Sequence, residues 1–280
     1  MRERKIILTL LVSWIGIDTH GPTSAYIVGD SRFNWGGTKH FDFGKKVFAS
    51  STYPEIFGYA GDVLFPSIIL SQIVEMINTN ILFNEDMSCD QKNKAVVEKL
   101  RHTFSKYPIE HSAGIIQILH ISRDTEFKKY PNFYCYFIEW SIVTGWKVLK
   151  KDIPSSSDIL YILGSGQEEF VSNYSRYQSG SNKDTSRNIF HCFIDTLFNI
   201  KDINCGGSPQ LVGIYRKPKS SSINYGIIYQ NKRYFLGAEV PVAAYFDKIE
   251  WRNEFFELCD GSRKRIKEGA AKQPDLLRRN

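Results

Sequence analysis

Cysteine is scarce and scattered: five residues, at 89, 135, 192, 205 and 259, with no close-spaced pair. That excludes a disulfide scaffold and a thiolate metal site, and it fits a reducing, cytoplasmic compartment. The six histidines are dispersed, with no HxxxH or HxH spacing, so neither a metal nor a cofactor is expected. No nucleotide-binding motif is present. No apolar run is long enough to span a membrane. A sustained excess of one charge is also missing. The net charge is +6, but the last twenty residues, from Gly261, hold seven Lys/Arg against two acids. The body is therefore close to neutral and offers no basic surface for nucleic acid. The tail, with Arg263-Lys264-Arg265, reads as a solvated, flexible end.

What the chain has is apolar substance. Hydrophobic residues make up 42% and aromatics 14% of 280 residues, enough for a sizeable core and too much for a disordered chain. That length allows one large domain or two smaller ones. The segment Arg2–Lys5 followed by Ile6–Ile17 has the outline of a signal peptide. No small-x-small cleavage site follows it, and its Val, Ile, Thr and Trp content suits a buried strand, which is the reading adopted for residues 6–16.

The segment from Ser24 to Gly61 organises the rest. Three short apolar runs, Ala25–Val28, Lys46–Ala49 and Ile56–Ala60, are split by Gly, Asn and Asp clusters, the pattern of strands joined by tight turns. Asp30 ends the first run, Lys46 opens the second and Gly61 ends the third. A helix follows, with Pro66 as its first residue and Ile69, Ile73, Val74 and Ile77 on one face. A second spans Asp90–Tyr107, with Val96, Val97, Leu100 and Phe104 aligned. Strands are expected at Ser112–Ile121, Phe133–Trp140, Trp146–Lys151 and Ile159–Leu163. The turn Gly164-Ser165-Gly166 leads into a helix over Gln167–Tyr177. Asp184 or Thr185 can cap a further helix to Ile200. Strands return at Leu211–Arg216, Tyr225–Gln230 and Arg233–Leu236, and a short helix is expected over Glu250–Cys259. Strands, two helices, strands, two helices, strands: that order predicts an α+β fold with two antiparallel sheets face to face and a helix pair on each outer face.

Five motifs in this order carry a resemblance. Gly29-Asp30-Ser31-Arg32, Lys46-Val47, Ala60-Gly61, Gly164-Ser165-Gly166 and Asp202-Ile203-Asn204-Cys205-Gly206-Gly207 resemble, in order and spacing, the motifs of the proteasome β-subunit-like family of N-terminal-nucleophile hydrolases. The resemblance covers roughly residues 9–240. It implies a four-layer αββα sandwich, a domain over residues 9–245 and a C-terminal helix and basic tail over 246–280. It also implies threonine-type hydrolysis of a peptide or protein, homo-oligomerisation, and a separate ATPase partner for any ATP-driven unfolding. By hairpin register, Thr9 matches the family's nucleophile. Lys46 would tune the Thr9 amine and hydroxyl, Asp30 would orient Lys46, and the Gly61 N–H would stabilise the oxyanion. Ser165, Asp202 and Cys205 would hold the amine. Cys205 stands where the family has Ser, and a thiol is the poorer hydrogen-bond partner.

Thr9 sets a chemical condition. Its hydroxyl needs a base, and in this family the base is the residue's own free α-amine, with an ordinary pKa near ~8. An internal Thr carries an amide there, which cannot accept the proton. Residues 1–8 are therefore read as a propeptide, or as the product of a misassigned start, with translation from Leu8 and loss of the initiator baring Thr9. The alternative is a non-catalytic relative that keeps these residues and serves as a structural or binding subunit. A small-molecule amidase of the same superfamily is a third reading. Taken alone, Asp30 is a strand-end turn residue, Lys46 an edge lysine, Gly61 a turn glycine and Ser165 a helix cap. Cys205 alone reads as a small buried residue rather than a thiol nucleophile, since no histidine is near in sequence.

Overall fold

A computed structural model describes residues 9–35, 39–108, 114–124, 130–180, 182–217 and 220–272. The chain opens with a hairpin of β1 (Leu11–Asp18) and β2 (Gly21–Gly29), then a two-residue hairpin of β3 (Phe33–Asn34) and β4 (His40–Phe41). Next come β5 (Val47–Ala49), β6 (Glu55–Gly61), α1 (Leu64–Asn78) and α2 (Cys89–Phe104). A strand group follows: β7 (Ile115–Arg123), β8 (Phe133–Ser141), β9 (Gly145–Lys151) and β10 (Asp158–Leu163). After α3 (Gln167–Tyr177) and α4 (Ser186–Asn199) the chain returns to β11 (Gln210–Tyr215), β12 (Ile223–Tyr229), β13 (Lys232–Phe235) and β14 (Ala238–Glu239). It closes with β15 (Trp251–Asn253), β16 (Leu258–Asp260) and β17 (Arg265–Ile266).

The molecule is α+β. One sheet runs β10-β1-β2-β11-β12-β15-β16-β17, with β13 and β14 attached beside β12; the other runs β5-β6-β7-β8-β9. The described pairs are antiparallel except β12 with β15, which is parallel. Period-two alternation sorts each strand's side chains between two apolar clusters. In β2, Ala25 and Ile27 join a cluster with Val47, Ile56, Ala60, Leu119 and Ile121 of the other sheet, while Tyr26 and Val28 pack with Phe190 and Phe193 of α4. In β6, Ile56 and Ala60 face that shared cluster, while Phe57 and Tyr59 pack with Ile69, Ile73, Val96 and Leu100 of α1 and α2. The apolar faces expected for α1 and α2 are thus the faces they bury.

Helix starts follow local chemistry. Ser88 caps α2 in a reciprocal box with Gln91, and Thr185 caps α4 by accepting from the Asn188 N–H. Pro66 is the third residue of α1 rather than its first. The first turn has no intrahelical use for its N–H groups, so proline is tolerated there too.

The C-terminal region differs from expectation. Glu250–Cys259 is not a helix: it holds β15, a turn and β16. The spacing of Trp251, Phe255 and Phe256 mimics a helical face. Asn253 breaks it, because its Oδ1 accepts from the N–H groups of Phe255 (3.0 Å) and Glu257 (2.9 Å). Phe256, at φ +61°, then turns the chain back on itself. Nor is the chain from Gly261 to Lys272 a loose tail. It forms β17, and the Arg187 guanidinium on α4 donates to the Ala271 and Lys272 carbonyls at 2.7 and 2.8 Å. Residues 1–8, which include the first three residues of the strand expected over 6–16, lie outside the described residues, as do Ser112 and Ala113 and the last eight residues of the basic tail.

Candidate active site

Asp30 sits one residue past β2, fully buried. Burying a carboxylate is costly unless its lone pairs are filled. Here they are filled mostly by backbone. Oδ1 accepts from the Leu10 N–H at 3.1 Å, and Oδ2 accepts from the N–H groups of Arg32 (3.2 Å) and Gly206 (3.0 Å). The fourth donor is the Lys46 ammonium, 2.7 Å from Oδ1. Lys46 is also fully buried, immediately before β5, and its Nζ donates in turn to Thr9 Oγ1. Thr9, Asp30 and Lys46 therefore form one continuous chain of polar contacts, sealed from solvent.

Thr9 lies two residues before β1 and is 1% exposed. Its φ of +130° falls where β-branched residues rarely go. Strained backbone of this kind is retained where the surroundings over-determine it, commonly at functional sites. One such constraint is the Gly164-Ser165-Gly166 turn after β10. The Gly166 N–H donates to the Thr9 carbonyl at 3.2 Å. Gly164, at φ +96°, lies so close that a Cβ there would fall 2.0 Å from the same oxygen.

The turn after α4 supplies the rest. Cys205 Sγ lies 3.6 Å from Ser165 Oγ and 3.6 Å from Asp202 Oδ2. Asp202 Oδ1 also accepts from the Asn204 N–H at 2.9 Å, closing the local turn. Gly166 is the N-cap of α3 and no side chain caps the helix; Ser165 Oγ is engaged with Cys205 instead. Burial, and then the charge of Asp30, push the Cys205 thiol well above its ordinary range. A protonated, buried thiol is a weak nucleophile.

The fold therefore brings Thr9, Asp30 and Lys46 into direct contact, with Ser165, Asp202 and Cys205 in a second group. Gly206 N–H ties the second group to Asp30. Gly61 stands apart: among the described residues no hydrogen bond joins it to either group. It ends β6 at φ +93°, where a Cβ would fall 2.4 Å from the Ile115 carbonyl, so the backbone there admits only glycine.

Several supporting residues were not anticipated. Gln210, the first residue of β11, is fully buried and bonds to the backbone of Asp30, Gly44 and Lys46. Ser31 Oγ accepts from the Ser208 N–H at 2.8 Å and donates to the Asp42 carbonyl at 2.6 Å. Arg32 grips Asp42 with two bonds of 2.7 and 2.9 Å, which hold the Asp42 carboxyl below its ordinary value. The signal for Gln210 was a lone amide abutting the apolar run Leu211–Ile214. Among the described residues no group of three His, Cys, Asp or Glu side chains is placed to hold a metal ion.

This fold occurs in solved structures. Anbu (ancestral β-subunit) from Yersinia bercovieri matches with a TM-score of 0.52 at 10% identity, over 81% of this chain and 86% of that one. The Anbu complex of Pseudomonas aeruginosa, solved as a helical assembly, matches with a TM-score of 0.55 at 13% identity, over 85% and 90%. A Gly-1 mutant of Anbu from Hyphomicrobium sp. strain MC1 gives 0.50 at 11% identity, over 85% and 92%. The likeness is one of fold. It agrees with the proteasome β-subunit-like resemblance drawn from the five motifs. No protein-family model matches the chain, and no curated protein does. No described helix is long and apolar enough to cross a membrane.

Proposed function

We propose that the chain is a proteasome-like N-terminal-nucleophile hydrolase that cleaves peptide or amide bonds through Thr9. The observation that carries this reading is the buried Lys46 ammonium, bonded to Asp30 on one side and to Thr9 Oγ1 on the other. A cation against a hydroxyl favours its deprotonated form. In the reaction, the Thr9 hydroxyl attacks the substrate carbonyl while the freed α-amine takes its proton. The amine returns that proton to the leaving amine, and water then releases the acyl group. The Gly61 N–H is assigned to the oxyanion, where one donor typically contributes ~3–4 kcal/mol. Ser165, Asp202 and Cys205 are assigned to the amine. The helix–sheet–sheet–helix layering of the family is part of the same reading, supported by the apolar cluster shared between the two sheets. So are a homo-oligomer, a cytoplasmic setting and a separate ATPase for folded substrates; the helical assembly of the Pseudomonas aeruginosa neighbour supports the first.

The test is the intact mass of the natively expressed protein with N-terminal sequencing, followed by assay on a peptide panel. A chain beginning at Thr9 that cleaves peptides, and loses that activity in Thr9→Ala, is the expected result. A chain retaining residues 1–8, with no cleavage, supports the non-catalytic subunit instead. Cleavage of simple amides but not peptides would point to an amidase.

A further inference from the structure

Gln210 is fully buried, and its own backbone pairs with Gly29 at the end of β2. Its side chain makes three bonds to main-chain groups far away in sequence. Nε2 donates to the Asp30 carbonyl at 2.9 Å and to the Gly44 carbonyl at 2.7 Å. Oε1 accepts from the Lys46 N–H at 3.0 Å. Both amide protons are used, and the carbonyl is used as well. The groups it joins are the main chain of the carboxylate residue, the main chain of the ammonium residue, and the chain just before the latter. Asp30 and Lys46 flank a connection that leaves one sheet and enters the other. One main-chain bond joins the same two segments, from the Gly44 N–H to the Ser31 carbonyl at 2.9 Å, but among the described bonds it is the Gln210 side chain that reaches the main chain of both Asp30 and Lys46.

We propose that Gln210 is a positioning residue that sets the spacing of Asp30 and Lys46, and through Lys46 that of Thr9. The role in turnover rests on the hydrolase reading above; the geometric role does not. A misplacement of 1 Å at a reacting group can cost ~10²-fold in rate, so a clamp on both partners acts on kcat rather than on substrate binding. Glutamine is the side chain that fits. Methionine has similar length but can neither donate nor accept strongly. An ionised glutamate can accept from Lys46 but sets a negative oxygen against the Asp30 and Gly44 carbonyls. A protonated glutamate regains one donor.

Gln210→Met and Gln210→Glu are compared with the parent protein in two measurements. In peptide hydrolysis, Gln210→Met is expected to lose ~10–100-fold in kcat with KM little changed, by the same misplacement argument. Gln210→Glu is expected to recover towards the parent as pH is lowered, while Gln210→Met does not. A uniform loss across pH for both variants would reduce Gln210 to core filling. The second readout needs no activity: amide hydrogen exchange, residue by residue. The Leu10 and Gly206 N–H groups are bonded to the Asp30 carboxylate and do not touch Gln210. Both are expected to exchange at least ~10-fold faster in Gln210→Met, relative to amides of the β7–β8 ladder, which report global opening. If only the Lys46 amide quickens, Gln210 does not position Asp30 and the proposal fails. If the parent protein cleaves nothing, the hydrolase reading fails, and exchange at Leu10 and Gly206 still decides the role of Gln210. Gln210→Glu, nearly the same shape, serves for exchange if Gln210→Met does not fold.

Discussion

Lys46 and Lys92 are both fully buried, and each faces a carboxylate, Asp30 at 2.7 Å and Glu55 at 3.2 Å. The two pairs are satisfied differently. Asp30 takes three of its bonds from backbone N–H groups. Glu55 takes its bonds from side chains: Lys92, Ser122 Oγ at 2.9 Å and the His120 ring at 2.8 Å, whose other nitrogen meets Asn93 Oδ1. Lys92 and Asn93 lie on α2, while Glu55, His120 and Ser122 lie on β6 and β7. The second cluster therefore locks a helix to a sheet, and its lysine is enclosed by the rings of Tyr53 and Phe83. The first cluster fixes its carboxylate by main chain and leaves its lysine facing a hydroxyl. A buried ion pair is by itself no sign of chemistry; what the cation touches besides its partner is the sign.

Removing each lysine breaks the symmetry most strongly. Lys46→Met is expected to abolish hydrolysis, by at least ~10³-fold as for other groups acting as a unit, because Thr9 loses the charge beside its hydroxyl. Its melting temperature should fall too, since Asp30 is left buried without its counter-ion, though its three backbone donors remain. Lys92→Met should cost stability without touching the chemistry. Breaking a buried pair costs about 3–5 kcal/mol, which for a chain of this size is a fall on the order of 10 °C in melting temperature. Its activity well below melting should match the parent. Calorimetry beside a peptide assay separates the two; equal losses of activity would mean that both clusters serve the site.

The same contrast explains what the sequence made legible. Asp30 and Lys46 could be picked out because glycine-rich turns mark strand ends locally and the motifs recur in order. Glu55, Lys92 and His120 could not, because partners 37 and 65 residues apart meet only after β6 pairs with β7 and α2 packs on that sheet. Gln210 stayed hidden for the same reason: its bonds span more than 160 residues. The helices and most strands follow from local period and caps, so their positions agree within a few residues. The C-terminal strands fail that logic. β15 has three residues, too few for period to declare itself, and it exists because β12 offers an edge to pair with in parallel. Gly61 shows the limit from the other side, being legible as a strand end while its assigned role depends on a substrate.

A thiol lies beside each cluster, which makes pH a finer probe. Burial, and then the charge of Glu55, push Cys89 up to about 12 from an ordinary 9.0. Burial alone is the leading cause that takes Cys135 and Cys192 to about 12. An acid raised in the folded state stabilises below its unfolded pKa, and that contribution is lost as pH rises towards the folded value. Stability should therefore hold to about pH 9 and then fall by about 1.4 kcal/mol per thiol per pH unit until near 12. Denaturant melts from pH 8 to 11 should show a shallower alkaline fall in Cys89→Ala than in the parent. An unchanged slope would mean that Cys89 titrates normally and that the Glu55 region is wetter than described.

The smallest effect is expected at Cys205. Its sulfur reaches Ser165 and Asp202 at 3.6 Å, the distance a thiol needs where a hydroxyl would come nearer. Replacing it with serine exchanges a weak donor for a strong one in a place already lined by oxygen acceptors. Gly166 packs closely against the sulfur, where an added Cβ would sit only 3.2 Å away, but serine is the smaller side chain and needs no extra room. Cys205→Ser should thus keep activity within about threefold of the parent, or raise it, a difference of well under 1.4 kcal/mol in the barrier. The thiol itself, held protonated by burial beside Asp30, should resist iodoacetamide at neutral pH while peptide cleavage continues. A loss of ~10²-fold or more in Cys205→Ser, or inactivation that tracks alkylation of Cys205, would place the chemistry on sulfur. Lys46 would then serve a different nucleophile from the one it touches.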